Sequence, residues 1–196
     1  LAVPLPGEHA DRRRAAADAH ALLGDAVDDR RATRLHHHAG APVDRKLHHD
    51  TSEGELLAEI AELNENHEID GILVQLPLPR HIHEDRVVGA IAPVKDVDGL
   101  HPFNAGHLYL GRPTLVPATP LGVMALLAEH KIHLEGARSV VVGRSALVGK
   151  PVAHLLLQAN ATVSICHTRT DDLERYTLDA DVLVVAAGRP EIVTAD

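Results

Sequence analysis

The sequence predicts an α/β fold built on a parallel sheet, and three observations carry that expectation. Residues 137–142, 161–166 and 180–187 are short, nearly continuous apolar runs, as strands covered on both faces require. Helical stretches over 152–158 and 171–176 separate them, so each strand-to-strand connection is a crossover and not a hairpin. Residues 143–151 (G-R-S-A-L-V-G-K-P) join the first of these strands to its helix through a glycine-bearing turn with Pro151 at the helix start.

The remaining elements follow in chain order. Alanine propensity allows a helix over 10–23, although its apolar stripe is weak. Periodicity becomes strong at Thr51: Ser52 is an N-cap with Glu55 at the capping-box position, and Leu56, Leu57, Ile60 and Leu63 recur at helical spacing. Residues 69–76 are apolar as far as Gln75, which predicts a central strand stopped by Pro77 and Pro79. A short helix over 84–91 leads to the loop 93–100, and Thr119 with Pro120 marks the start of a helix through Val123, Leu126 and Leu127. The chain ends soon after the third strand, fewer strands than a doubly wound domain usually has, so a truncated C-terminus is expected.

Composition bounds the function. A chain of 196 residues holds one domain and part of another, or two small ones, and its 45% hydrophobic content includes one Phe, two Tyr and no Trp, so the core is aliphatic. A formal charge of −9 argues against a nucleic-acid partner, because no basic stripe is available to displace counterions. Cys166 is the only cysteine, which excludes a disulfide framework and a cysteine-based zinc site. No apolar run reaches transmembrane length and the start is too short for a signal peptide, so the reading is a cytoplasmic protein without a membrane partner.

The first fifty residues stand apart. They carry eight acidic and eight basic residues, so the whole net charge falls in 51–196, and they hold seven of the sixteen histidines. His36–His38 and His48-His49 raise the question of metal binding, but adjacent side chains on a regular element diverge, so a solvated stretch is the expectation and no metal site is assigned.

Chemistry is expected beyond the C-terminal ends of the strands, where parallel sheets bind ligands. There Gly143, Arg144, Ser145 and Gly149 form an anion-binding loop at a helix start, without the G-x-G-x-x-G or Walker A spacing. His167, Thr168 and Arg169 follow the next strand, where an acidic residue would hold a ribose 2′-hydroxyl. A basic group there tilts the choice toward NADP over NAD, unless Arg169 is simply solvated. Gln75 either makes a structural hydrogen bond or contacts a ligand. In Asp96-Val97-Asp98-Gly99 an extended backbone puts both carboxylates on one side, suited to heterocycle N–H groups, acid–base work or a metal; an Asx-turn closed by Gly99 is the plain alternative.

Residues 70–79 (D-G-I-L-V-Q-L-P-L-P), 93–99 (P-V-K-D-V-D-G), 117–122 (P-A-T-P-L-G) and 143–151, in that order and approximate spacing, resemble the bifunctional methylenetetrahydrofolate dehydrogenase/methenyltetrahydrofolate cyclohydrolase family over about 51–196. The resemblance implies a Rossmann-like parallel-sheet NAD(P)-binding domain over 118–196 and a smaller α/β folate-binding catalytic domain over 51–117, both incomplete, after an atypical, poorly ordered segment over 1–50. It also implies a homodimer acting in one-carbon metabolism and purine biosynthesis, with NADP (less often NAD) as cofactor and a tetrahydrofolate as substrate. 5,10-Methylenetetrahydrofolate would be oxidised to the methenyl form and then hydrolysed to 10-formyltetrahydrofolate.

Residue by residue, Gln75 resembles the glutamine that assists an active-site lysine and Asp98 the aspartate that holds the pterin ring. Gly143, Arg144, Ser145 and Gly149 resemble the cofactor phosphate loop, with His167 and Arg169 near the adenosine end. Ala118 replaces the usual cysteine of P-C-T-P, a change between small residues. The family's Y-x-x-x-K motif occurs nowhere in the sequence; Lys46 has no tyrosine near it, and Lys95 is the weak candidate for the lysine role. Residues 4–49 read as a stretch translated in a shifted frame or degenerated, and the late P-G-G-V-G-P-M-T motif does not occur. The alternatives to the family reaction are a non-catalytic dinucleotide-binding module and another NADP-dependent oxidoreductase.

Overall fold

The computed structural model describes residues 44–189 and 191–194. The 10–23 helix, His36–His38 and most of the 1–50 segment lie outside the described residues. Within 44–50, Arg45 pairs with Glu59 and Leu47 lies against an apolar cluster, while the other five residues are exposed.

That cluster belongs to the first half of the fold. Helix α1 (Glu53–Glu65) opens on a complete capping box. The Ser52 hydroxyl accepts from Glu55 N–H at 3.3 Å, and the Glu55 carboxylate accepts from Ser52 N–H at 2.8 Å, satisfying two helix-end donors reciprocally. Leu56, Ile60 and Leu63 form the buried stripe, with Leu57 at its margin. Helix α2 (Glu84–Ala90) adds Val87, and Ile69, Ile72, Val74, Ile82 and Ile91 complete the core. Residues 69–76 do not form the expected central strand. Among the described residues their ladder is a single parallel bridge, Ile72 to Asp96, and an apolar run becomes a strand only where partners take up its backbone groups. The burial that was expected of the run is nevertheless seen at Ile69, Ile72 and Val74.

The second half is the parallel sheet, with the first of its three strands at the centre. Strand β1 (Arg138–Val142) runs between β2 (Thr162–Cys166) and β3 (Val182–Val185), with Val141 opposite both Ile165 and Val184. Alternate β1 side chains serve two cores, as the strand period dictates. Val141 meets Val152, Ala153 and Leu156 of helix α5 (Gly149–Gln158). Val140 and Val142 join Cys166 and Leu173, the latter from helix α6 (Leu173–Leu178). The two crossover helices therefore cover opposite faces, the doubly wound arrangement. Strand β3 is less covered than expected: only Val182 is buried, because β3 is the sheet edge in the described residues.

Two helices connect the halves. Helix α3 (Pro102–Tyr109), not anticipated from the sequence, starts where the His101 side chain accepts from Phe103 N–H and Pro102 occupies the first turn. It lies against α5, with Gln158 Nε2 donating to Leu108 O at 2.7 Å and Tyr109 edge-on to His154. Helix α4 (Ala118–Glu129) packs Val123, Met124 and Leu127 on the Val141 cluster. Its N-cap is Pro117 and not Thr119; Pro120 fits inside the first turn because N–H groups there lack intrahelical partners anyway.

Candidate functional site

The loop after β1 is shaped by its glycines. Gly143 has φ +136°, and a Cβ there would lie 2.3 Å from Ala186 O; a Cβ on Gly149 would lie 2.3 Å from Gly143 O. Both positions need bare backbone because the β3 end and the α5 start close on the same loop. Gly143 N–H donates to Cys166 O at 2.8 Å and Ala186 N–H to Val142 O at 2.7 Å, so the C-terminal ends of all three strands converge here. Ser145 has a job that sequence reasoning did not give it. Its hydroxyl oxygen accepts from Val148 N–H at 3.1 Å and Gly149 N–H at 3.2 Å, capping α5 and leaving its own proton to donate outward. Arg144 and Lys150 are exposed and have no ion-pair partner among the described residues. Bare backbone, a helix N-terminus and two unneutralised cations fit a phosphate-bearing cofactor.

The loop after β2 forms a tight turn beside it. His167 N–H donates to Thr170 Oγ1 at 2.8 Å and Thr170 N–H returns to His167 O at 2.8 Å. The His167 Nδ1 accepts from Arg169 N–H at 3.2 Å, which leaves the ring proton on Nε2. The Arg169 side chain is exposed. Cys166, at the end of the strand, is buried, and burial pushes its thiol up, out of the reactive range.

The carboxylate pair belongs to a turn, not to extended backbone. Gly99 N–H donates to Asp96 O at 3.1 Å, and Gly99 takes φ +63° where a Cβ would lie 2.7 Å from Leu115 O. The two carboxyls part in role. Asp96 is 1% exposed and its Oδ2 accepts from His101 N–H and Asn104 Nδ2, both at 2.8 Å. Asp98 is half-buried, and burial, followed by the charge of Asp96, pushes its carboxyl up to about 6. Gln75 is exposed and its amide donates to Leu76 O at 3.1 Å. Lys95 is turned away, its ammonium donating to Leu63 O, Asn64 O and Asn66 O at 3.0, 2.6 and 2.8 Å. All three of its protons cap the C-terminal end of α1, where the helix dipole favours a cation. Lys46 is exposed.

A pocket of about 180 Å³ brings the two motif groups together: Gly99 and Leu100 from the aspartate turn, Ala105 and Leu108 from α3, and Ala146, Lys150, Pro151 and His154 from the loop and α5. Away from it, His48, His49 and Asp50 hold their ligand atoms within 4.8 Å of one another, so these neighbours do converge where divergence was expected, because they occupy a turn. All three are exposed, and His48 and His49 already contact Asp50. No helix among the described residues is long and apolar enough to cross a membrane.

Known proteins share this arrangement. The tetrahydrofolate dehydrogenase/cyclohydrolase catalytic domain matches residues 31–98, starting ahead of Thr51, and the NAD(P)-binding domain of the same family matches 117–196. The bifunctional protein FolD of Burkholderia multivorans is 57% identical over 145 residues, 74% of this chain and 51% of that protein. The crystal structure of the bifunctional enzyme FolD, a methylenetetrahydrofolate dehydrogenase/cyclohydrolase, from Campylobacter jejuni superposes with a TM-score of 0.71 at 51% identity over 72% of this chain and 51% of that one. The Trypanosoma brucei dehydrogenase–cyclohydrolase, complexed with NADP cofactor and inhibitor, gives 0.70 at 38% identity over 72% and 49%. The chain spans about half the length of the curated relatives it matches. Both domain types of one family, in the family's order and on the observed doubly wound sheet, place this chain in the tetrahydrofolate dehydrogenase/cyclohydrolase family.

Proposed function

We propose that this chain holds NADP and a tetrahydrofolate for the oxidation of 5,10-methylenetetrahydrofolate to the methenyl form, with hydrolysis to 10-formyltetrahydrofolate as the second step. The observation that carries this is the pocket bordered at once by Gly99, beside Asp98, and by Ala146 and Lys150 of the glycine loop. Hydride transfer depends chiefly on bringing two ligands together, and the cofactor, when bound, supplies the hydride acceptor.

The protein's part is positioning. Gly143 and Gly149 let the loop backbone approach phosphate, and Arg144 and Lys150 offset its charge. Above about pH 6 the ionised Asp98 accepts hydrogen bonds from the amino and ring N–H groups of the folate. His167 and Arg169, placed directly after β2 where an acidic residue would hold a ribose 2′-hydroxyl, favour NADP over NAD. The division into a folate-binding part over 51–117 and a cofactor-binding part over 118–196 belongs to the same proposal, as do the homodimer, the cytoplasmic setting and the link to purine biosynthesis.

The hydrolytic step is the weaker one in this sequence. It needs a proton-transfer group beside the one-carbon unit, with Gln75 as its helper, and Y-x-x-x-K does not occur. Lys95, fully engaged on α1, is unsuited to that role. The test supplies the full chain with NADP and 5,10-methylenetetrahydrofolate, following reduced cofactor and 10-formyltetrahydrofolate separately. Cofactor reduction exceeding formyl product is expected. Binding of NADP with neither folate binding nor turnover would favour the dinucleotide-binding module instead.

A further inference from the structure

The turn that carries Asp98 rests on a side chain that no motif singled out. Asn104 of α3 is 1% exposed, and its carboxamide joins three segments. Nδ2 donates to Asp96 Oδ2 and to Pro93 O, both at 2.8 Å, while Oδ1 accepts from the Thr114 hydroxyl at 2.6 Å. Both amide protons and one acceptor position are therefore engaged, and the ring of contacts fixes which way the amide faces.

Asp96 depends on this arrangement. A buried carboxylate is costly unless it is paired or hydrogen-bonded, and no cation among the described residues pairs with Asp96: the neighbouring Lys95 points to the α1 carbonyls. Two neutral donors, Asn104 Nδ2 and His101 N–H, take that place on a single oxygen. We propose that Asn104 is a positioning residue that acts through Asp96, holding the 96–99 turn so that the Asp98 carboxyl faces the folate site. The proposal rests on the reading of Asp98 as the folate-holding group. Other ionisable groups surround the turn: the His101 ring, whose Nδ1 accepts from Phe103 N–H, and Lys150 and His154, which border the pocket with Gly99. Of the charged groups, Asp96 is the one that raises Asp98, second to burial.

Two readouts on the full chain test this. The Asp98 carboxyl carbon is titrated by NMR without ligand, its signal assigned by its loss in Asp98→Asn, and 5-formyltetrahydrofolate and NADP are titrated at equilibrium. The wild-type carboxyl should titrate near 6. Asn104→Ala should move that midpoint toward the ordinary carboxylate range and weaken the folate by about tenfold, with NADP affinity changed by less than about twofold. Thr114→Val, which removes the donor to Oδ1, should act in the same direction, and Thr114→Ser should restore wild-type behaviour. An unmoved Asp98 midpoint in a folded Asn104→Ala protein, or equal loss of folate and NADP, would overturn the proposal. If Asn104→Ala does not fold, the Thr114 pair decides alone. A moved midpoint in a chain that binds no folate would uphold the link from Asn104 to Asp98 and overturn the folate reading.

Discussion

Asp98 pays for its place in the site with stability. Its carboxyl titrates at about 6 in the folded chain against 3.8 as an ordinary Asp, so the native state binds the proton more tightly. The contribution of Asp98 to stability is therefore greatest below about 4 and falls as pH rises through the window from 3.8 to 6, the opposite of a salt-bridged carboxylate. Asp98→Asn should stabilise the chain at neutral pH by on the order of 1–3 kcal/mol in urea unfolding, yet abolish folate binding. Lower stability for the variant at neutral pH would show that the carboxylate is well solvated or paired. At Gly143 the expectation is reversed: Gly143→Ala places a Cβ 2.3 Å from Ala186 O at φ +136°, and should cost at least about 1–3 kcal/mol together with cofactor affinity. Arg169→Ala should weaken NADP at least about tenfold more than NAD, since a charge-assisted contact to the 2′-phosphate is worth about 1.5–3 kcal/mol. Equal weakening of both would assign Arg169 to the shared part of the cofactor. The glycines were legible because a strand–turn–helix junction demands them locally. Asp98 was legible through the family motif, whereas Asn104 was not, because its role depends on Asp96, Pro93 and Thr114 meeting across the chain.

At the scale of elements, local chemistry was readable and pairing was not. The Ser52–Glu55 capping box was anticipated because its partners are three residues apart, and Ser52→Ala should cost about 1 kcal/mol in thermal or urea unfolding. The same helix ends on a long-range device: Lys95 crosses to three carbonyls at the C-terminus of α1. Lys95→Met should lower stability by about 1–3 kcal/mol while leaving NADP affinity unchanged, and a selective loss of the hydrolytic step would return Lys95 to the chemistry. The run 69–76 shows the limit of pattern reading. Its burial follows from its apolar residues, but a ladder depends on partners that no local pattern contains, and the described residues provide one bridge. Helix α3 was missed because it is one short stretch with a mixed face, though the His101-Pro102 start was a usable signal.

At the scale of the whole molecule, the aspartate turn and the glycine loop border one pocket. The α3–α5 contact, through Gln158 and Leu108, brings the aspartate turn to the glycine loop. Two ligands bound there side by side should influence each other, whereas two sites on unrelated faces should not. The most direct measurement is the equilibrium affinity of the full chain for 5-formyltetrahydrofolate with and without saturating NADP, in wild type, Asp98→Asn and Gly143→Ala. Both ligands should bind wild type, and NADP should change the folate affinity. Asp98→Asn should lose the folate alone and Gly143→Ala should primarily lose NADP. Folate affinity that is indifferent to NADP in wild type, or that survives Asp98→Asn intact, would contradict it.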